Sequence, residues 1–307
     1  MGGGTSSARS GGVVWLVYEG FLALSVFDSQ VAQPFIDMAR RRLSTLVVFE
    51  RIDVLLRRAR TIREKCRRLR QVSGSAVVVL PRLGGDVGCR LAAPTLRLFM
   101  ALTRRHPSLI HARGVKGARV ALSAFARRYR IPTLLDIRGA EAAELALVFR
   151  GSRSAAVPKA LARATAAERR AVEGADAYLC VSERLAEYMS DAYGMDRSLS
   201  VVCPCGPGEG FLYSDALREH WRRHLDADEG VRIALYAGSL APWQMPSWTL
   251  AAMDAMAAEW PRFLGVFAVA DPSVGSLSAV GRPWLRVVSV PNIDVPGLMC
   301  AADVGLL

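Results

Sequence analysis

At 307 residues the chain is long for one domain and suits two α/β domains of ordinary size, and its 51% hydrophobic and 22% charged composition excludes a disordered chain. The formal charge of +12 rests almost wholly on arginine, because Lys65, Lys116 and Lys159 are the only lysines, and it favours anionic partners: nucleotide phosphates, nucleic acid or an acidic membrane face. No run of about 18 uncharged apolar residues occurs to span a bilayer, and the six scattered cysteines read as reduced and structural, with no metal partner at zinc-ligand spacing near Cys203-Pro204-Cys205.

Met1 to Gly12 is rich in Gly and Ser and is expected to be disordered. Val13 to Tyr18 is a short apolar strand. Arg9 followed by Val13 to Leu24 imitates a signal peptide, but Glu19 interrupts the apolar run and no small-residue cleavage site follows. A loop through Asp28 leads to a helix from Ser29 and Gln30 to about Arg42; strand, loop and helix in that order open a parallel sheet. Leu46 to Glu50 is the second strand. Arg51 to Gln71 reads as one basic amphipathic helix, with Ile52, Leu55, Leu56, Ala59, Ile62, Cys66 and Leu69 at helical spacing and arginines crowding the remainder. Such a helix is either a solvated charged face packed on the sheet or a patch lying against anionic lipid headgroups.

Ala76 to Leu80 is the third strand, followed by a looser segment with Gly84, Gly85 and Gly88 and a helix from Ala93 to Arg105. Leu109 to His111 is a short strand, after which Ala112-Arg113-Gly114 turns into a helix from Gly117 to Tyr129. Pro132 to Leu135 is a buried strand that switches at once to Asp136, Arg138 and Gly139 before an Ala/Glu/Leu helix. His111 and Asp136 therefore stand at carboxyl ends of strands, where open α/β sheets bind ligands. Each also has a plainer reading, His111 as a satisfied core residue and Asp136 as a helix cap paired with Arg138. Helices from Lys159 to Glu173 and Glu183 to Tyr193 alternate with strands from Ala177 to Ser182 and Leu199 to Cys203. The Gly/Pro cluster Pro204 to Gly210 is the strongest break, so the domains are expected at 13–210 and 211–307. Beyond it come helix Ser214 to Leu225, strand Val231 to Ala237, helix Ser247 to Glu259, and strands Phe263 to Val269 and Leu285 to Val290. The last residues, Cys300 to Leu307, read as an apolar strand in mid-course, so the chain is expected to be an incomplete and inactive fragment.

Taken in order, these segments resemble a family 4 glycosyltransferase of the GT-B type. Asp28-Ser29-Gln30-Val31 with Pro34 resembles the "SQV..P" start of the first helix, and His111-Ala112-Arg113 the "HxR" ending the fourth strand. Asp136-Ile137-Arg138-Gly139 with Glu144 resembles "D-x-R-G-x-x-x-x-E", and Glu168-Arg169, Ala175-Asp176 and Val181-Ser182-Glu183 resemble "E…aD…vvSe". Tyr236-Ala237-Gly238-Ser239-Leu240 with Trp243 is similar to the "Y-x-G-S-L-x-x-W" opening of the nucleotide-binding domain, and Ala302 to Leu306 to its "ADvGL" strand.

The resemblance implies an α/β protein of two Rossmann-like domains, the second incomplete, and a retaining hexosyl- or N-acetylhexosaminyl-transferase. Its donor would be a nucleotide-sugar and its acceptor a glycan or lipid-linked hydroxyl, in cell-surface polysaccharide or glycolipid assembly, with no metal or other cofactor expected. His111 and Arg138 are the implied catalytic contacts, Gly238, Ser239 and Leu240 the donor cradle, Ser29, Gln30 and Glu144 the acceptor side, and Asp136 and Gly139 the turn that holds them. Two departures stand out: Ser239 and Gln244 take the places where many relatives carry an Arg and a Lys, and Ala270-Asp271-Pro272 replaces a "G-D-G" turn. A cytoplasmic location is expected, with peripheral contact through Arg51 to Gln71. The alternatives are a non-catalytic interaction protein of the same fold and a nucleic-acid binder. No helix-turn-helix, RNP or zinc pattern supports the latter, so no nucleic-acid partner is expected.

Overall fold

The computed structural model describes residues 12–22, 26–83, 85–104, 106–126, 131–206, 211–270 and 281–306. The Gly/Ser-rich start, Gly84, the end of the helix expected to reach Tyr129, the close of the Gly/Pro cluster, Asp271-Pro272 and Leu307 lie outside them. The chain divides into two compact units, Met1–Ala146 with Gly151–Gly208, and Leu147–Arg150 with Glu209–Leu307.

In the first unit β1 (Val13–Val17) is followed by a π-helical turn, Asp28–Ala32, that runs into α1 (Gln33–Ala39). There follow β2 (Ser44–Arg51), α2 (Ile52–Arg57), α3 (Ala59–Ser73), β3 (Ala76–Arg82), α4 (Gly85–Leu102), β4 (Leu109–Arg113) and α5 (Gly114–Ala121) with a second π-helical turn, Leu122–Ala126. β5 (Thr133–Ile137), α6 (Glu141–Val148), α7 (Ala156–Gly174), β6 (Ala177–Cys180), α8 (Glu183–Tyr193) and β7 (Ser200–Val202) complete it. The described strands form a seven-stranded sheet in the order β3-β2-β1-β4-β5-β6-β7, with every pairing parallel. Helices cover both faces, which is why β2 is buried along almost its whole length.

Strand alternation sorts the side chains into two cores. Val14, Leu16, Ile110, Ala112, Leu135 and Ile137 face one, which α4, α5 and α7 cover. Val13, Trp15, Val17, Leu46, Val48 and Val77 face the other, closed by Phe27, Val31 and Phe35 and by Ile62, Cys66 and Leu69 of α3. The second unit holds α9 (Asp215–His224), β8 (Arg232–Ala237), α10 (Pro246–Glu259), β9 (Phe263–Ala268), β10 (Leu285–Val288), α11 (Val295–Ala301) and β11 (Val304–Leu306). Its described strands form a parallel four-stranded sheet, β10-β9-β8-β11, with a core on each face.

Three elements differ from the sequence reading. The basic helix is two helices, broken at Arg58, whose backbone (φ −124°, ψ 25°) leaves the helical region. The segment read as loose is the first half of α4, because Cys89, Ala92, Ala93 and Leu96 reach the core and packing overrides the glycines and the interior Pro94. Cys300 belongs to α11, not to a strand; Gly297 there lets the helix approach Trp221 of α9, since an added Cβ would lie 2.5 Å from its Nε1.

Candidate active site on the carboxyl rim of the first sheet

In β4 and β5 the residues that alternate with the apolar ones change character. Ile110, Ala112, Leu135 and Ile137 point into the first core, while His111, Arg113 and Asp136 continue the face that β1 lines with Trp15 and Val17. Parallel register sets Trp15 beside His111 and Arg113 beside Asp136. All four are buried. The His111 ring lies on the Trp15 indole, centroids 3.8 Å apart and planes 34° from parallel.

From His111 a circuit of polar contacts runs round the rim. His111 Nε2 lies 3.3 Å from Asp136 Oδ2, at ion-pair distance but without the alignment of a hydrogen bond. Asp136 Oδ1 accepts from Arg138 Nη1 at 3.4 Å, and Arg138 Nη2 donates to Cys205 Sγ at 3.1 Å. The same sulfur accepts from Gln30 Nε2 at 3.4 Å, and Gln30 Oε1 accepts from Arg113 Nη2 at 2.7 Å. Gln30 reaches this position from the π-helical turn, a geometry frequent at functional sites. Burial alone would raise the Asp136 carboxyl, but His111, Arg138 and Arg113 outweigh it and hold the group below the usual carboxylate range. Burial pulls Arg113 below its ordinary value, against Asp136 and Glu19. Among the described residues two buried nitrogens in this circuit, Arg113 Nε and Arg138 Nε, have no hydrogen-bond partner, and His111 Nε2 meets only the Asp136 carboxylate. Natural interiors rarely leave such groups unmet. Together they form a set of donors with capacity to spare.

Beside the circuit opens a pocket of about 210 Å³ whose lining includes Glu19, Arg113, Gly114, Arg138, Glu141 and Glu144. It sits where the strand order reverses, between β1 and β4, the place at which doubly wound sheets form a crevice. Gly114 is required at the handover from β4 to α5: its φ is +67°, and an added Cβ would stand 3.3 Å from Glu19 Oε1. Glu19 Oε2 is buried without a partner among the described residues. Burial raises the Glu141 and Glu144 carboxyls; Glu168 pushes both the same way, and Glu19 adds to the effect on Glu141 while Lys116 opposes it. Glu168 itself is 1% exposed and accepts from Tyr193 Oη at 2.5 Å and from the Ala142 amide at 3.2 Å. It secures α6, and with it Glu141 and Glu144, to α7 and α8.

The structure thus brings together His111, Asp136, Arg138, Gly139, Glu144 and Gln30 of the residues singled out from sequence. Gly139 is pressed against the Glu144 carboxylate, where no side chain fits without displacing it. Ser29 stays outside the circuit, its hydroxyl donating to the Val26 carbonyl at 3.3 Å. Trp15, Glu19, Arg113, Glu141 and Cys205 were missed. Arg113 was legible in principle, two residues beyond His111 on the same strand face; the others join through register or chain return. Among the described residues no group of three His, Cys, Asp or Glu side chains is placed to hold a metal ion.

In the second unit the expected donor cradle is corrected in one respect. The Gly238 amide is already used, donating to the Ala268 carbonyl at 3.1 Å as the sheet runs out. No helix starts there either: a 3-10 turn, Pro242–Gln244, intervenes before α10 at Pro246. The Tyr236 hydroxyl donates to the Ser239 carbonyl and fixes the turn, while Leu240 packs on the core around Tyr236 and Phe267.

Comparison with known proteins agrees with this architecture. The family model of Glycosyltransferase Family 4 matches residues 38–206, more than half of the chain. No curated protein gives a significant match. Among solved structures, a glycosyltransferase from Rickettsia africae ESF-5 superposes with a TM-score of 0.61 at 12% identity, over 97% of this chain and 72% of that one. HepE from Anabaena in complex with UDP gives 0.62 at 17% identity, over 96% and 73%. The catalytic domain of starch synthase IV from Arabidopsis thaliana, bound to ADP and acarbose, gives 0.62 at 10% identity, over 96% and 78%. With its parallel seven-stranded sheet and a second parallel sheet behind it in sequence, the chain belongs to Glycosyltransferase Family 4 and has the GT-B fold.

Proposed function

We propose that the protein transfers a sugar from a nucleotide-sugar donor to a hydroxyl of a glycan or lipid-linked acceptor, with retention at the anomeric carbon. The observation that carries this reading is the pair of buried guanidinium nitrogens on Arg113 and Arg138 that have no partner among the described residues, both arginines lining the switch-point pocket, with His111 held close by on Asp136. In the reaction the bond from the anomeric carbon to the diphosphate breaks and a bond to the acceptor oxygen forms. The diphosphate departs with the electron pair, and the acceptor proton passes to it. Charge therefore grows on the leaving group, and a preorganised cation is the group best suited to meet it. Arg138 is permanently charged, held by Asp136 and Cys205, and retains a spare Nε. His111, its ring fixed by Trp15, offers a hydrogen bond to a sugar hydroxyl. Glu19, Glu141 and Glu144 offer oxygens that orient acceptor hydroxyls. No metal is required in this scheme.

Support for the donor class comes from relatives of the fold: HepE has been captured with UDP, with UDP and glucose, and with UDP-glucose, and starch synthase IV with ADP. On this reading the turn of Ser239, shaped by Gly238 and Leu240, receives the donor in the second unit. A place in cell-surface polysaccharide or glycolipid assembly, at the inner face of the membrane, fits the basic charge. The test is release of nucleoside diphosphate from a panel of nucleotide-sugars in the presence of glycan and lipid-linked acceptors, with the product anomer read by NMR. One donor is expected to turn over, with the anomeric configuration kept. Absence of binding and turnover with every donor would refute the reading.

A further inference from the structure

We infer that the outward face of α4 is a docking surface for an anionic phospholipid membrane. One side of this 18-residue helix is spent on the core through Cys89, Ala92, Ala93, Leu96 and Met100. The opposite side of an ordinary surface helix carries charged residues. Here it carries Val87, Leu91, Leu98 and Leu102, exposed by 59%, 49%, 60% and 75%. Their spacing places them in one stripe, within an arc of about 60° along a helix about 27 Å long. Apolar surface left open in a continuous stripe marks an interaction site.

Charge identifies the occupant. Arg90 and Arg97 are exposed on a single flank of the stripe, Arg104 is exposed just beyond the helix, and the one acidic residue in the sequence of α4 is Asp86 in its first turn, before the stripe begins. An apolar face edged by arginine is the form of helix that lies in a bilayer interface, its leucines in the acyl boundary and its guanidinium groups among phosphates. A second copy fits less well, because antiparallel pairing would bring the arginine flanks together and each chain already carries +12. Helix α3, on the opposite face of the sheet, lacks the apolar half of such a site: Ile62, Cys66 and Leu69 are buried against the sheet, leaving arginines outside. The first turn of α4 presses on the end of β1, where an added Cβ on Gly88 would stand 2.8 Å from Tyr18 Oη. Tyr18 directly precedes Glu19 of the switch-point pocket, so a bilayer held on α4 lies beside the rim at which a lipid-linked acceptor would enter.

The experiment is flotation of the whole chain with vesicles of phosphatidylglycerol and, separately, of phosphatidylcholine, at low and high salt. Wild type is expected to float with phosphatidylglycerol. Combined Leu91→Gln, Leu98→Gln and Leu102→Gln is expected to cut the bound fraction roughly tenfold or more at both salt levels. Arg90→Gln with Arg97→Gln weakens binding chiefly at low salt, and unchanged circular dichroism and melting show that each variant folds. Three outcomes would overturn the inference: wild type that ignores phosphatidylglycerol, a triple variant that binds as wild type does, or a wild-type dimer that the triple variant converts to monomer. None depends on sugar transfer, so the docking surface and the proposed reaction fail or stand separately.

Discussion

Two clusters of arginine and carboxylate, one in each unit, show how the same chemistry serves opposite ends. In the second unit Asp303 accepts from Arg218 Nη2 at 2.6 Å, Arg222 Nη1 at 3.4 Å and the Ile233 amide at 2.9 Å. Arg218 and Arg222 spend their other donors on carbonyls of Cys300, Ala301, Ala302, Asp228 and Val231, and of Arg222 only Nε is left over. That cluster ties α9 to the turn between α11 and β11. In the first unit Asp136 is more deeply buried than Asp303, yet among the described residues Arg113 Nε and Arg138 Nε beside it are unmet, and His111 Nε2 meets only the Asp136 carboxylate. A nearly saturated cluster holds the fold together; an unsaturated one beside a pocket has donors to lend to a ligand.

The comparison can be broken most directly at Arg138. Arg138→Ala is expected to lower sugar transfer about 10²- to 10³-fold, with a shift of under about 1 kcal/mol in urea unfolding, because His111 and Arg113 still compensate the buried Asp136 carboxylate. A variant that loses stability and keeps turnover would place this cluster with that of the second unit. The reverse signature belongs to Asp303→Ala, which strands the buried Arg222 and should cost about 3 kcal/mol in urea unfolding. Cys205→Ala tests the weakest joint of the circuit. Losing the acceptor shared by Arg138 and Gln30 should lower turnover roughly tenfold or less through freer arginine motion, and Cys205→Ser should restore most of it.

The smallest effect concerns Glu141. Burial and the neighbouring Glu19, Glu168 and Glu144 raise its carboxyl, so the folded chain keeps this proton over a pH window in which the unfolded chain has lost it. Stability from this group is therefore complete below the ordinary carboxylate range and is lost as pH rises through the raised folded value. Glu141→Gln removes that loss. It should melt higher than wild type at neutral pH, on the order of 2 °C, with the difference vanishing in acid; calorimetry across pH checks it.

Much of the first sheet was legible because strand ends announce themselves. His111 and Asp136 follow apolar runs; Asp136 is the next-to-last residue of β5, whereas β4 runs on to Arg113 and leaves His111 at its middle, so that Arg113 takes the place at the carboxyl end expected for His111. The limits are equally physical. Trp15 is an unremarkable strand residue until parallel register lays it beside His111, and Cys205 meets Gln30 across 175 positions of sequence. Gly238 was expected in the donor cradle, but the ladder to β9 had already claimed its amide. In α4 the glycines and Pro94 argued locally for a loose segment, and only the core beneath made a helix of it.

Sequence alone determined the succession of strands and helices, the arginine-borne charge and the family, because apolar periodicity and short motifs are local properties of the chain. Tertiary structure decided which charges are met and which are left over. The paired Asp303 and the under-paired Asp136 circuit are alike as residues, and so are the buried and exposed leucines of α4. Their difference lies in what packs against them, and that is settled only when strand register and helix placement bring distant parts of the chain together.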